Sequence, residues 1–144
     1  MRLSYAVVMV ATLYAGCAVA ERPAQTSAPV APVGQPLPPK PIPDQEPEVT
    51  QAVRQVLLDA AEGKVAPQQF TERARAAMFP DEAKALGASL RGYGALDSLQ
   101  LLERKVDGED RLYRYRAAYA KASVLVDITY NKGGRIGLLQ ARPE

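Results

Sequence analysis

Between Ala95 and Ala141 polar and apolar residues alternate in a way that only paired strands satisfy. Folding the chain back about Lys121-Ala122 as a two-residue turn sets Tyr119 opposite Val124, Ala117 opposite Val126, Tyr115 opposite Ile128 and Tyr113 opposite Tyr130. Side chains alternate along a strand with period two, so these residues share one apolar and aromatic face. On the other face Arg116 opposes Asp127 and Arg114 opposes Thr129, pairs suited to water. A slip of one residue would turn the apolar row outward, which fixes the parity of the pairing. Lys-Ala lacks the Gly or Asn that a primed turn prefers, so a longer loop of the same parity stays open.

The flanking segments extend this hairpin into a meander. Leu96 to Val106 ends at the turn signal Asp107-Gly108-Glu109-Asp110. Its alternation is blurred: Leu99 and Leu101 lie on one face, Leu96 and Leu102 on the other, as a bulge or burial on both faces would produce. Asn131-Lys132-Gly133-Gly134 is a loop before a last strand, Arg135 to Ala141, in which Ile136 and Leu138 continue the apolar face. Four antiparallel strands with one greasy face need a cover.

The cover lies upstream. In Glu48 to Glu62 the residues Val49, Ala52, Val53, Val56, Leu57 and Ala60 recur at helical spacing, Glu48 favours the dipole and Gly63 stops the helix. Pro67 opens a second helical segment through Phe70, Ala74, Ala77 and Met78, with Thr71 capping a fresh turn. A third starts at Pro80-Asp81, carries Ala83, Leu86 and Leu90, and ends at Gly92 or Gly94. Helices followed by strands predict an α+β fold, N-terminal helices packed on a four-stranded antiparallel meander, over residues 48–144.

What precedes this domain reads as export and tether. Arg2, the apolar run Ala6 to Leu13 and Ala18-Val19-Ala20 before Glu21 form a signal peptide over residues 1–20. Leu13-Tyr14-Ala15-Gly16-Cys17 resembles a bacterial lipobox, which makes lipidation of Cys17 the alternative to cleavage after Ala20. Residues 21–47 hold nine of the 12 prolines, too many for a buried core, and form a Pro-rich disordered linker. The expected location is therefore the periplasm, or the outer membrane through a lipidated Cys17, the only membrane attachment foreseen.

Composition removes several functions. Lys and Arg total 18 against 16 acids, a dispersed net charge of +2, which offers no footprint for nucleic acid. The chain has no histidine, so His-based triads and His-rich metal sites are excluded, and beyond Cys17 it has no thiol. Carboxylates suited to acid-base work reduce to Asp97, Glu103 and Asp127, read as strand positions facing water. Neither a catalytic residue, a metal ligand nor a cofactor is expected. Tyr113, Tyr115, Tyr119 and Tyr130, with Tyr93, are the candidate ligand-binding residues; the preferred reading is that they supply the core layer beneath the helix, since they fall on the face that must be covered anyway. Arg111, Arg114 and Arg116 read as a row on the outer face, recognising an anion or simply solvated and paired across strands.

Gly63-Lys64-Val65, Gln69-Phe70-Thr71, Ala83 to Leu90, the Tyr113 to Tyr119 strand and Gly134-Arg135-Ile136 together resemble the small cystatin-like, or nuclear-transport-factor-two-like, domain of bacterial exported proteins. The resemblance covers Pro47 to Ala141. It implies a curved sheet with a helix packed on it, a cone that binds small molecules in some relatives and packs or dimerises in others. Such domains are appended to serine β-lactamase-like hydrolases, whose Ser-x-x-Lys is absent here. The expectation is a non-enzymatic cell-envelope protein, an interaction or assembly module whose partner is another envelope protein or a second copy. The alternatives are a small-molecule-binding cone using the tyrosines, and an accessory domain of a wall hydrolase system.

Overall fold

The computed structural model describes residues 37–144. The segment read as a signal peptide, with Cys17, and the part of the segment read as a linker up to Pro36 lie outside the described residues. Three helices, α1 (Pro47–Glu62), α2 (Glu72–Met78) and α3 (Asp81–Tyr93), precede four strands, β1 (Leu96–Asp107), β2 (Asp110–Tyr119), β3 (Ser123–Tyr130) and β4 (Ile136–Pro143). The strands form one antiparallel sheet in the order β1-β2-β3-β4, the expected α+β meander.

Helix α1 begins at Pro47, whose fixed φ suits the first turn and whose missing N–H is not needed there. It ends where Gly63 takes a left-handed φ of 72°, and the Gly63 and Lys64 N–H groups close on the Ala60 and Asp59 carbonyls. Its buried stripe is Val53, Val56, Leu57 and Ala60; Ala52, expected on that stripe, is exposed. Pro67 opens only a single 3-10 turn, Pro67–Gln69, rather than a helix. Phe70 is then extended and bridges Ile136, and Thr71 Oγ1 accepts the Ala74 N–H at 3.3 Å to start α2. Helix α3 runs through Gly92 and stops at Gly94, φ 89°.

The β2–β3 hairpin keeps the expected parity and changes its register by two residues. Tyr119 N–H reaches Ala122 O at 2.9 Å, so the turn is Ala120-Lys121, and Ala117 faces Val124, Tyr115 faces Val126 and Tyr113 faces Ile128. Arg114, not Arg116, therefore opposes Asp127, and Tyr130 opposes Arg111. The turn is held from outside: Ala120 and Lys121 donate to the Ala95 and Tyr93 carbonyls at 2.9 and 3.0 Å, an anchorage that does not depend on turn chemistry. In β1 the blurred alternation is two register shifts, Leu96/Ser98 and Leu101/Glu103, and the second buries both Leu101 and Leu102. A shift between Thr129 and Tyr130 inverts the faces of β4. Ile136 and Leu139 point into the core, whereas Leu138, expected there, is 40% exposed on the outer face.

Val53, Leu57, Leu90, Tyr115, Val124, Val126, Ile128 and Phe70 are all at most 1% exposed and belong to one apolar cluster. Helix α1 thus covers the sheet, with α3 beside it, and α3 comes close because residue 87 is glycine and sits against the Ala60 carbonyl. Among the described residues no helix is long and apolar enough to cross a membrane.

Candidate functional site

The alternation of β2 places Tyr113, Tyr115 and Tyr119 on the inner face, and β3 brings Tyr130 beside the first of them. Tyr113 and Tyr115 stack with centroids 6.3 Å apart and planes at 19°; Tyr130 meets Tyr113 edge-on at 6.2 Å. Tyr119 stands apart. Six residues along β2 amount to about 20 Å, and there it packs on Tyr93 with centroids at 5.9 Å. Of the four candidate tyrosines, then, three form a group and the fourth closes the other end of the core.

Their hydroxyls differ more than their rings. Tyr115 is wholly buried and its hydroxyl shares a 3.1 Å hydrogen bond with Thr50 Oγ1 on α1. Tyr113 donates to Glu46 Oε2 at 3.0 Å. The Tyr119 and Tyr130 hydroxyls are buried without a protein partner. Burial pushes Tyr115, Tyr119 and Tyr130 up to about 12. Burial, and then the bond to Glu46, also raises Tyr113. These phenols are neutral hydrogen-bonding groups in the physiological range, not nucleophiles or bases.

Glu46 is the functional group that sequence reasoning missed. Assigned to the linker, it is in fact the residue from which α1 starts, its N–H bonded to Asp44 Oδ1 at 3.0 Å. Its carboxylate takes Arg104 Nε and the Tyr113 hydroxyl on one oxygen, with Arg111 Nη1 3.6 Å from the other. The Arg104 guanidinium, chiefly, holds this carboxyl below the usual carboxylate range. A signal existed: Arg111 has the parity of the apolar row, so it needed an acid, and Asp44 and Glu46 are the acids beside the proline run. Arg111 therefore leaves the outer-face row to which it was assigned.

The outer face is a network of paired charges. Arg114 Nε lies 2.6 Å from Asp127 Oδ1 and its Nη1 3.1 Å from Glu103 Oε2; Arg142 lies 3.4 Å from Asp127; Arg116 binds Glu144 through Nε at 2.8 Å. Lys105, first, and then Arg114 lower the Glu103 carboxyl. Of the candidate acid-base carboxylates, Glu103 and Asp127 are thus committed to cations, and Asp97 stands exposed on β1. Among the described residues no three metal-ligating side chains gather.

Tyr130 lines a cleft of about 450 Å³ between α1 and the β3–β4 loop, with Ala52, Gln55 and Arg135 among its other walls. Fold and site together define a small α+β domain, an open four-stranded sheet whose aromatic face is closed by helices. No family model, curated protein or solved structure matches this chain.

Proposed function

We propose that this chain is a non-enzymatic cell-envelope protein: an exported domain on a Pro-rich tether, acting as an interaction or assembly module. One observation carries the reading. The aromatic face that would have formed a binding cone is spent on packing, Tyr115 fully buried with its hydroxyl taken by Thr50 and Tyr113 bonded to Glu46. The surface left for recognition is the exterior of the sheet, where Leu112, Leu125 and Leu138 sit among paired charges. Half-exposed leucines ringed by satisfied polar groups are what protein interfaces use.

Two measurements test this. Mass spectrometry of the chain purified from cells expressing the full sequence is expected to show either a start at Glu21 or a diacylglyceryl-modified Cys17. An intact Met1 in the cytosol overturns export. A photo-crosslinking residue at Leu125 or Leu138 is expected to give discrete protein adducts in the envelope, and the same residue at Lys84 on α3 none. Equal labelling at both faces, or none, overturns the module.

A second reading has its own support. Tyr130 lines the 450 Å³ cleft, and its hydroxyl, buried without a partner, would gain one from an acceptor-bearing ligand that displaces the side chains now covering it. Native mass spectrometry distinguishes this reading by a retained adduct that Tyr130→Phe removes.

A further inference from the structure

The two margins of the sheet are finished differently. On β1 the Leu101 carbonyl accepts the Ile42 N–H at 2.8 Å. Ile42 lies between Pro41 and Pro43, which have no N–H, so this segment closes the margin without offering a new ladder. On β4 the pairing direction follows from one bond, Glu144 N–H to Ser123 O at 3.0 Å. Antiparallel alternation then turns the backbone groups of Leu138, Gln140 and Arg142 toward β3 and those of Leu139 and Ala141 outward, with Pro143 offering only its carbonyl. At the start of β4, Thr71 already occupies the margin through its N–H to Ile136 O, 2.9 Å. From Leu139 to Pro143 the outward groups have no backbone partner among the described residues.

Beside this open stretch run two adjoining hollows of about 300 and 460 Å³, between β4 and the α2–α3 pair. Met78, Glu82 and Leu139 line both; Leu86, Ser89 and Tyr93 line the second. The edge has no lysine, and its one charge and one proline, Arg142 and Pro143, stand only in the last two residues of β4.

We propose that this margin docks a second copy of the chain, β4 against β4 about a two-fold axis, with the two α3 helices crossing above the seam. The proposal rests on the interaction-module reading and adds to its outer-face surface a self-docking edge. An axis through Ala141 fits the groups present. Each Ala141 exchanges both bonds with its counterpart, and each Leu139 N–H meets the Pro143 carbonyl of the other copy. Pairing in this register stops short of Ile136, where Thr71 sits. Exposed Ala85 and Ser89 are small enough to let the helices approach. The contact is isologous and closes on itself at two copies.

The test is sedimentation across a concentration series of the full chain as purified. A one-to-two-chain transition is expected, with hydrogen exchange at the Leu139 and Ala141 amides slowing as the dimer fills. Ala141→Pro removes an N–H that the β3 ladder does not use. Its circular dichroism and melting should match the parent, and its association should weaken about tenfold or more. Ser89→Arg, on the exposed side of α3, should do the same and covers the case in which the proline variant fails to fold. A monomer at every concentration overturns the proposal, as do folded variants that dimerise like the parent. A monomer that still gives foreign adducts at Leu125 or Leu138 sinks only this inference. A foreign adduct at Gln140 assigns the edge to another protein's strand and overturns the second copy. A monomer without adducts sinks both readings.

Discussion

Adding one methyl group at each of two glycines of α3 should have opposite effects. In a helix interior alanine is worth about 1 kcal/mol more than glycine, so propensity alone predicts that Gly87→Ala and Gly92→Ala both stabilise. Geometry separates them. A Cβ at Gly92 meets nothing within 4 Å, and the full gain, about 0.5–1 kcal/mol near a helix end, should appear. A Cβ at Gly87 would stand less than 3.0 Å from the Ala60 carbonyl oxygen, closer than Cβ atoms approach, and the obstacle is backbone. Helix α3 must then back away from α1, loosening Leu90 and the 2.8 Å bond from Arg91 Nη1 to the Ala61 carbonyl. Overpacking of this kind costs about 1–3 kcal/mol, and the rigid obstacle puts it in the upper half. Less the propensity gain, Gly87→Ala should lose about 1–2 kcal/mol. In urea, with a slope of about 2 kcal/mol per molar, the midpoint falls by about 0.5–1 M while that of Gly92→Ala rises by about 0.3–0.5 M. A Gly87→Ala protein as stable as the parent, or the two variants moving together, would refute the close α1–α3 crossing.

The tyrosine hydroxyls supply a second contrast: Tyr115→Phe should cost about 1 kcal/mol, because it breaks the bond to Thr50, whereas Tyr119→Phe should be neutral or stabilising, because its hydroxyl is buried with no partner. Thermal melts of the two variants side by side decide it. Glu46→Gln should destabilise by about 1–2 kcal/mol, since a charged acceptor for Arg104 and Tyr113 becomes a neutral one. The Glu46 carboxyl is lowered in the fold, so its contribution is complete above the ordinary carboxylate pKa and is lost as the pH falls through the depressed folded value. Urea midpoints from neutral to acid should therefore converge for Glu46→Gln and the parent, and a constant gap would contradict the clamp.

Sequence showed which residues face inward more reliably than which residues face each other. Moving a hairpin register by two still sets apolar opposite apolar, so the pattern around Tyr115 and Val126 is blind to the shift from Lys121-Ala122 to Ala120-Lys121. What selects the observed register is tertiary, the Tyr93 and Ala95 carbonyls that hold the turn. Leu138 was placed inside because a bulge at Tyr130 carries no residue signature, and the choice between Leu138 and Leu139 depends on it. Helix α1 was legible to within a residue, since Pro47, the Val53/Leu57 stripe and Gly63 all agree. The Pro67 segment was not, because Phe70 leaves the helical path to bridge β4. At the site the ring positions were readable and the hydroxyl partners were not, for Glu46 lay within a segment read as tether.

That segment also sets the boundary of the smallest useful piece of this protein. A chain begun at Glu48, where the helical pattern starts, would lack the Pro41-Ile42-Pro43 guard and leave two bare strands, one on either flank. Copies could then join head to tail, β1 of one to β4 of the next, in a contact with no reason to stop at a pair. The stretch from Pro41 to Pro47, which looks like spacer, therefore guards one flank of the sheet against such chaining.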